Sequence, residues 1–125
     1  MMEPLIIEAT DTTPTVSFNA SDGIMEIKGA SFDEDSTEFY ETLILWISNY
    51  KKSPNTKVIL DVHFKYMNSS STLCVYELLR EFVEIQNSGC QLVVNWYHGP
   101  EDEDIKEAGM EYSELLQLPI NISEI

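Results

Sequence analysis

The stretch Lys57-Val58-Ile59-Leu60-Asp61-Val62-His63-Phe64-Lys65-Tyr66-Met67-Asn68-Ser69-Ser70-Ser71-Thr72-Leu73-Cys74-Val75-Tyr76 joins a β-rich run to a helical pattern through a polar turn. Residues 57–64 read as a mostly buried strand. Over residues 72–86 the apolar side chains fall at helical spacing, with Leu73, Tyr76, Leu79 or Arg80, and Val83 along one line and Phe82 and Ile85 beside it. That helix ends near Asn87-Ser88-Gly89, where Gly89 suits a left-handed C-cap. A strand, a short turn and a helix in this order are the repeating unit of an α/β sheet. The hydroxyl residues 69–72 therefore fall at or just before a helix N-terminus. Such an end carries unpaired backbone N–H groups and the positive end of the dipole, which favour an oxygen-rich cap or an anion such as phosphate. Two uses follow: Asn68 or Ser69 caps the helix, or the turn is a phosphorylation site.

Upstream, three short β-like segments lie near residues 4–9, 14–20 and 24–28. Ser21-Asp22-Gly23 is a hairpin signal between the last two, and the alternation in Val16-Ser17-Phe18 and Ile24-Met25-Glu26-Ile27 predicts antiparallel strands with one buried face. Gly29 ends the third segment. Asp33-Glu34-Asp35-Ser36 then supplies acids and caps for a helix of about residues 35–52. Phe39, Leu43, Trp46, Ile47 and Tyr50 form its apolar stripe, and Lys51 and Lys52 suit its C-terminus. Pro54-Asn55 breaks the pattern before the strand at 57.

Downstream, Gln91-Leu92-Val93-Val94-Asn95-Trp96-Tyr97 is a second core strand, and Gly99-Pro100 precedes a third helix over about residues 101–116. Glu101-Asp102-Glu103-Asp104 forms its first turn, where carboxylates suit the macrodipole without any ligand. Pro119-Ile120-Asn121-Ile122 adds a short edge strand. The order β-β-β-α-β-α-β-α-β predicts a single-domain α/β sandwich over residues 1–125, with a mixed sheet and three main helices. Turns that leave strand C-termini commonly collect functional groups, and the serine run occupies one of them.

The chain carries 22 acidic against 7 basic residues, and a net charge of −15 disfavours nucleic acid and anionic membranes as ligands. No apolar run approaches the roughly 20 residues that cross a bilayer. Met1-Met2-Glu3-Pro4 lacks the basic region of a secretory signal, so a cytoplasmic protein is expected. Cys74 and Cys90 read as free, core-facing thiols. His63, within a strand, and His98, within a turn, have no nucleophile elbow around them, and the histidines and cysteines lack the paired spacing of a zinc site. The acidic runs match no EF-hand loop, and the scattered glycines form no phosphate-binding loop. Trp46, Trp96 and the tyrosines lack the basic neighbours of a nucleic-acid stacking surface. The chain is therefore read as non-enzymatic, with no cofactor and no metal.

Ile27-Lys28-Gly29-Ala30-Ser31-Phe32 with Phe39-Tyr40, Phe64-Lys65-Tyr66-Met67-Asn68-Ser69-Ser70-Ser71, and Val94-Asn95-Trp96-Tyr97 with Glu101-Asp102-Glu103-Asp104-Ile105 and Ala108-Gly109 follow one another in an order and spacing that resembles the SiaC family of bacterial regulatory phosphoproteins. Those small domains look like STAS anti-sigma-factor antagonists, and the resemblance runs from about residue 14 to 118. It implies a phosphoprotein that a dedicated SiaB-like serine/threonine kinase modifies and a PP2C-like phosphatase restores. It also implies that the unphosphorylated form can activate a diguanylate cyclase, which would link the chain to cyclic-di-GMP signalling and biofilm formation. The family acceptor follows the Asn, which places it at Ser69; the family carries Thr there, so Ser70 stays open as the alternative. Tyr66, Met67, Asn68, Ser70 and Ser71 flank the acceptor, and Glu101, Asp102, Glu103 and Asp104 are expected on the same rim, so these residues are the candidate partner contacts. The competing expectation is a constitutive acidic adaptor or inhibitor in which the serine run is only a cap.

Overall fold

In the computed structural model, which describes residues 2–34 and 36–125, six strands form one sheet with three helices. The elements are β1 (Leu5–Ile7), β2 (Thr15–Asn19), β3 (Ile24–Ser31), α1 (Thr37–Tyr50), β4 (Lys57–Met67), α2 (Ser69–Asn87), β5 (Gln91–His98), α3 (Glu103–Leu116) and β6 (Asn121–Glu124). The strands lie side by side in chain order. β1, β2 and β3 pair antiparallel, and β3, β4, β5 and β6 pair parallel. The expected mixed sheet and element order are both present.

This topology decides where the helices go. Each of the three helices joins neighbouring parallel strands, and each step moves the sheet in the same direction. Crossovers of one hand then place all three helices on one face. The burial pattern agrees: Val16, Phe18, Met25, Ile27, Val58, Leu60, Val62, Phe64, Val94 and Trp96 are buried, while the alternate positions Glu26, Lys28, Asp61, His63, Asn95 and Tyr97 are not. The helices complete the core with Tyr40, Leu43, Ile47, Leu78, Leu79, Phe82 and Tyr112, among others. Among the described residues, no helix is long and apolar enough to cross a membrane.

Two turns behave as their sequences predict. Gly23, at φ +73°, closes the β2–β3 hairpin, with its N–H on the Asn19 carbonyl at 3.0 Å. Gly89, at φ +100°, follows α2 in a left-handed conformation.

Several boundaries differ from expectation. Gly29 does not end the third strand. It lies inside β3 at φ +133°, where the pairing shifts: Gly29 faces Phe64 and Ala30 faces Tyr66, leaving Lys65 as the extra residue. That bulge lets β4 run on to Met67 rather than stop at Phe64, and it re-aims Tyr66 outward. The first helix spans 37–50, within the expected 35–52; Asp35, expected at its start, lies outside the described residues, as does Met1. Tyr40 joins the buried stripe of α1, whereas Phe39 and Trp46 are only partly buried. The second helix starts at Ser69, three residues before the expected 72, because Asn68 is the cap. Its buried stripe is Ser71, Val75, Leu78, Leu79, Phe82 and Ile85, with Leu73 and Arg80 outside. α3 begins at Glu103, so Glu101 precedes it and Asp102 is its N-cap residue. His98 is the buried last residue of β5 rather than part of a turn. The edge strand starts two residues later than expected, at Asn121. Neither Cys74 nor Cys90 is in a disulfide, and both are half-buried.

Candidate functional site

The C-terminal ends of β3, β4 and β5 feed three turns on one edge of the sheet, and every candidate residue lies there. The β4–α2 turn is held by side-chain and backbone hydrogen bonds. Asn68 is extended, at φ −88° and ψ 177°, and its Oδ1 accepts from the Ser71 N–H at 2.9 Å. This is a side-chain N-cap, and the Asn68 carbonyl begins the helical ladder by accepting from Thr72 N–H at 3.0 Å. The cap is therefore Asn68 and not Ser69.

The four hydroxyl residues that read alike in sequence have four different surroundings. Ser69 is exposed, and its hydroxyl makes no hydrogen bond among the described residues. Ser70 Oγ accepts from the Ser36 backbone N–H at 3.1 Å. Ser71 is fully buried: its Oγ donates to the Ser31 carbonyl at 2.9 Å and lies 2.7 Å from Ser31 Oγ and 2.9 Å from Ser36 Oγ. Thr72 Oγ1 donates to the Asn68 carbonyl at 2.9 Å. The separation arises because position 71 shares the apolar stripe of α2 with Val75 and Leu78, while 69 points to solvent.

Ser71 belongs to a buried hydroxyl cluster. Tyr40 OH lies 2.7 Å from Ser31 Oγ, and Ser36 Oγ also reaches the Asp33 carbonyl at 3.3 Å. One assignment satisfies every hydroxyl: Tyr40 donates to Ser31 Oγ, Ser31 to Ser71 Oγ, Ser71 to the Ser31 carbonyl, and Ser36 to Asp33 or Ser71. No buried side-chain polar atom among the described residues lacks a partner. Burial, only partly offset by the hydrogen bond with Ser31, pushes the Tyr40 phenol above its ordinary range, so Tyr40 stays protonated in this cluster.

The rim places the other candidates as follows. Lys65, Tyr66, Met67, Glu101, Asp102, Glu103, Asp104 and Ile105 line one groove of about 210 Å³, so the tyrosine–methionine end of β4 and the acidic segment do meet. Asp102 shapes the loop, with its Oδ2 accepting from Gly99 N–H at 3.3 Å. Trp96 donates its indole N–H to the Ile105 carbonyl at 2.7 Å, pinning the start of α3 to β5. Tyr66 is 55% exposed and packs edge-on against Phe32, itself 40% exposed, with ring centroids 5.7 Å apart. Met67 is half-buried against the core, and Ser71 is not at the surface at all.

Sequence reasoning left Phe32, Ser31, Ser36 and Tyr40 out of the site. Phe32 carried a usable signal, an aromatic immediately before an acidic run on a strand-to-helix turn. The spacing Ser71–Val75–Leu78, which is that of a helix face, also marks Ser71 as inward-facing. The partnership of Ser31, Ser36 and Ser71 spans 40 residues and has no local signature.

The profile of the SiaC family, a family of regulatory phosphoproteins, matches residues 7–125 of this chain. An uncharacterized protein of Pseudomonas aeruginosa (strain UCBPP-PA14) is 25% identical over 121 residues, covering 97% of this chain and 96% of that protein. The crystal structure of apo-SiaC from P. aeruginosa superposes with a TM-score of 0.84 at 23% identity, over 98% of this chain and 99% of that one. The fold also matches at a TM-score of 0.87 and 24% identity, over 97% of this chain and 99% of the matched chain, in the structure of the P. aeruginosa diguanylate cyclase SiaD in complex with its activator SiaC.

Proposed function

The chain belongs to the SiaC family of regulatory phosphoproteins, and from that premise we propose that it is a non-enzymatic binding protein whose partner is selected by reversible phosphorylation of Ser69. One observation carries the choice of residue: of the four hydroxyls at 69–72, Ser69 alone is exposed and free of hydrogen bonds among the described residues. A kinase must reach its acceptor and remove a proton from it, and neither is obstructed at Ser69. At Ser70 a phosphate would displace the Ser36 N–H contact, and at Ser71 it would enter the core. These contacts favour Ser69 over the alternative Ser70. The reading of the run as a mere cap loses support at this position, because Asn68 supplies the cap.

A SiaB-like kinase and a PP2C-like phosphatase would write and erase the mark. The unphosphorylated chain would hold a diguanylate cyclase, as SiaC holds SiaD in the P. aeruginosa complex, and so act on cyclic-di-GMP levels and biofilm formation in the cytoplasm. Phosphate adds about −1.5 to −2 charges and three acceptor oxygens. Within the chain the first turn of α2 tolerates that charge, since negative groups are favourable at a helix N-terminus. At an interface a neutral hydroxyl on the turn that follows Tyr66, one partner of the Phe32–Tyr66 aromatic pair, becomes a dianion that has to be desolvated. The partner that packs on this aromatic surface is dismissed while the fold persists. Glu101, Asp102, Glu103 and Asp104 add negative charge along the same rim and bias it toward a basic partner face.

The test combines phosphopeptide mapping of the chain from its native cells with binding of Ser69→Ala and Ser69→Asp to the diguanylate cyclase those cells contain. Phosphate confined to Ser69, with the cyclase held by Ser69→Ala and released by Ser69→Asp, is the expected result. Equal binding by the two variants would overturn the switch and leave a constitutive adaptor.

A further inference from the structure

Asn68 uses every polar atom it has, and its contacts reach two different segments. Its Oδ1 caps α2 through Ser71 N–H at 2.9 Å, whereas its Nδ2 donates to the Asp33 carbonyl at 3.0 Å in the β3–α1 connection. Its backbone N–H donates to the Ser31 carbonyl at 3.0 Å. Beside it, Ser36 N–H donates to Ser70 Oγ at 3.1 Å, and Ser36 is itself buried. The far side of this connection carries Phe32, whose ring meets Tyr66 at the end of β4. With the Ser36 Oγ–Ser71 Oγ contact at 2.9 Å, four side-chain contacts therefore tie two turns, about 35 residues apart, into a single unit.

We infer that Asn68 is a positioning residue that locks Phe32, Asp33 and Ser36 onto the serine turn, so that Ser69, Phe32 and Tyr66 present one composite recognition surface. This deepens the reading of Ser69 as the regulated residue, because a partner seated over Ser69 then meets Phe32 as well. The side chain has two separable jobs: its oxygen caps the helix and its amide nitrogen holds the neighbouring connection. An aspartate at 68 keeps a capping oxygen for Ser71 N–H, while it has no donor for the Asp33 carbonyl and sets a second oxygen against it. An alanine loses both.

The experiment compares the full chain with Asn68→Asp and Asn68→Ala by residue-resolved amide hydrogen exchange and by the proton contacts between the Phe32 and Tyr66 rings. In Asn68→Asp the Ser36 amide is expected to exchange at least tenfold faster and the ring contacts to weaken, while the Ser71 amide keeps its wild-type rate. In Asn68→Ala both amides accelerate. A merely structural cap would move Ser71 and spare Ser36, so Ser36 protection and ring contacts unchanged in Asn68→Asp overturn the inference. Should Asn68→Ala fail to fold, the Asn68→Asp comparison alone decides. A chain from native cells without phosphate on Ser69 would remove the regulatory use of this surface and leave the exchange pattern intact. Failure of the pattern would remove the coupling and leave phosphorylation untouched.

Discussion

Ser69 and Ser71 are two residues apart, and the structure predicts opposite outcomes for the same substitution. Ser71→Ala removes one donated and two accepted hydrogen bonds from a fully buried cluster. Part of the loss is recovered, because Ser36 retains the Asp33 carbonyl and the Ser31 carbonyl still accepts from Asn68 N–H, while the Ser31 hydroxyl, which already accepts from Tyr40, loses its acceptor. A buried hydrogen bond contributes about 0.5–1.5 kcal/mol net, and an orphaned buried polar group costs about 1–3 kcal/mol. With two effective bonds lost and partial rescue, Ser71→Ala should cost about 2–3 kcal/mol. At a urea m-value in the usual range of about 1–3 kcal/mol/M, the midpoint should fall by roughly 0.7–3 M. Ser69→Ala removes no hydrogen bond among the described residues and places a better helix former in the first turn, so stability should stay within about 0.5 kcal/mol of wild type. Ser70→Ala falls between, at about 1 kcal/mol, because the buried Ser36 N–H loses its acceptor. Urea unfolding followed by tryptophan fluorescence measures all three. Equal midpoints for Ser69→Ala and Ser71→Ala would refute the helix register on which the assignment of a surface hydroxyl and a core hydroxyl rests.

Gly109 lies in α3 where an added Cβ would come within 2.5 Å of Trp96 Cδ1 and 2.7 Å of its Nε1. The indole is fully buried and bonded to the Ile105 carbonyl. Gly109→Ala should therefore cost about 2 kcal/mol despite a helix-propensity gain of up to about 1 kcal/mol, and a thermal midpoint at or above wild type would contradict this packing. His63 has its pKa lowered by burial first, then by Lys28 and Lys65, against the opposing pull of Asp102. The unfolded chain thus takes up this proton at a higher pH than the folded one. Its contribution is fully present above the ordinary histidine value of about 6.5 and is lost as pH falls toward the lowered one. Unfolding free energies for wild type and His63→Gln at about pH 7.5 and 5.5 should diverge at the acid end, with the wild type losing more; identical slopes would exclude a role for His63 in this window.

The order of elements and the mixed sheet were legible because each strand and helix carries its own period, and the glycines at 23 and 89 stand where a positive φ is needed. What escaped is non-local or locally contradictory. The end of β4 was hidden because the bulge at Lys65 breaks the alternation that announces a strand. The start of α2 was hidden because serine and threonine read as turn residues, and only the Asn68 cap decides that the helix begins among them. Hydroxyls are ordinarily assigned to solvent, so placing Ser71 in the core required its spacing to Val75 and Leu78 to outweigh its polarity. Phe32 becomes part of the rim only through its contact with Tyr66, a residue 34 positions away, which no local pattern encodes. The order of motifs pointed to the family even where these individual positions could not be read.

On the proposed reading, the energetics place the switch at an interface rather than in the fold. A phosphate on Ser69 would gain about 0.3–1 kcal/mol from the N-terminal dipole of α2. Against this stands repulsion within a chain of charge −15, from acidic groups that solvent and salt largely screen. These intramolecular terms are small and of opposite sign, so they cannot drive a rearrangement of a turn held by the Asn68 cap and the buried Ser71 cluster. Desolvating the same dianion against a partner costs several kcal/mol unless cations on that partner compensate it. A difference of about 3 kcal/mol between two partners corresponds to more than a hundredfold in affinity, enough to exchange one for another. The buried hydroxyls then have a role distinct from that of Ser69: by keeping the turn rigid, they leave the charge of the phosphate to act at the contact surface.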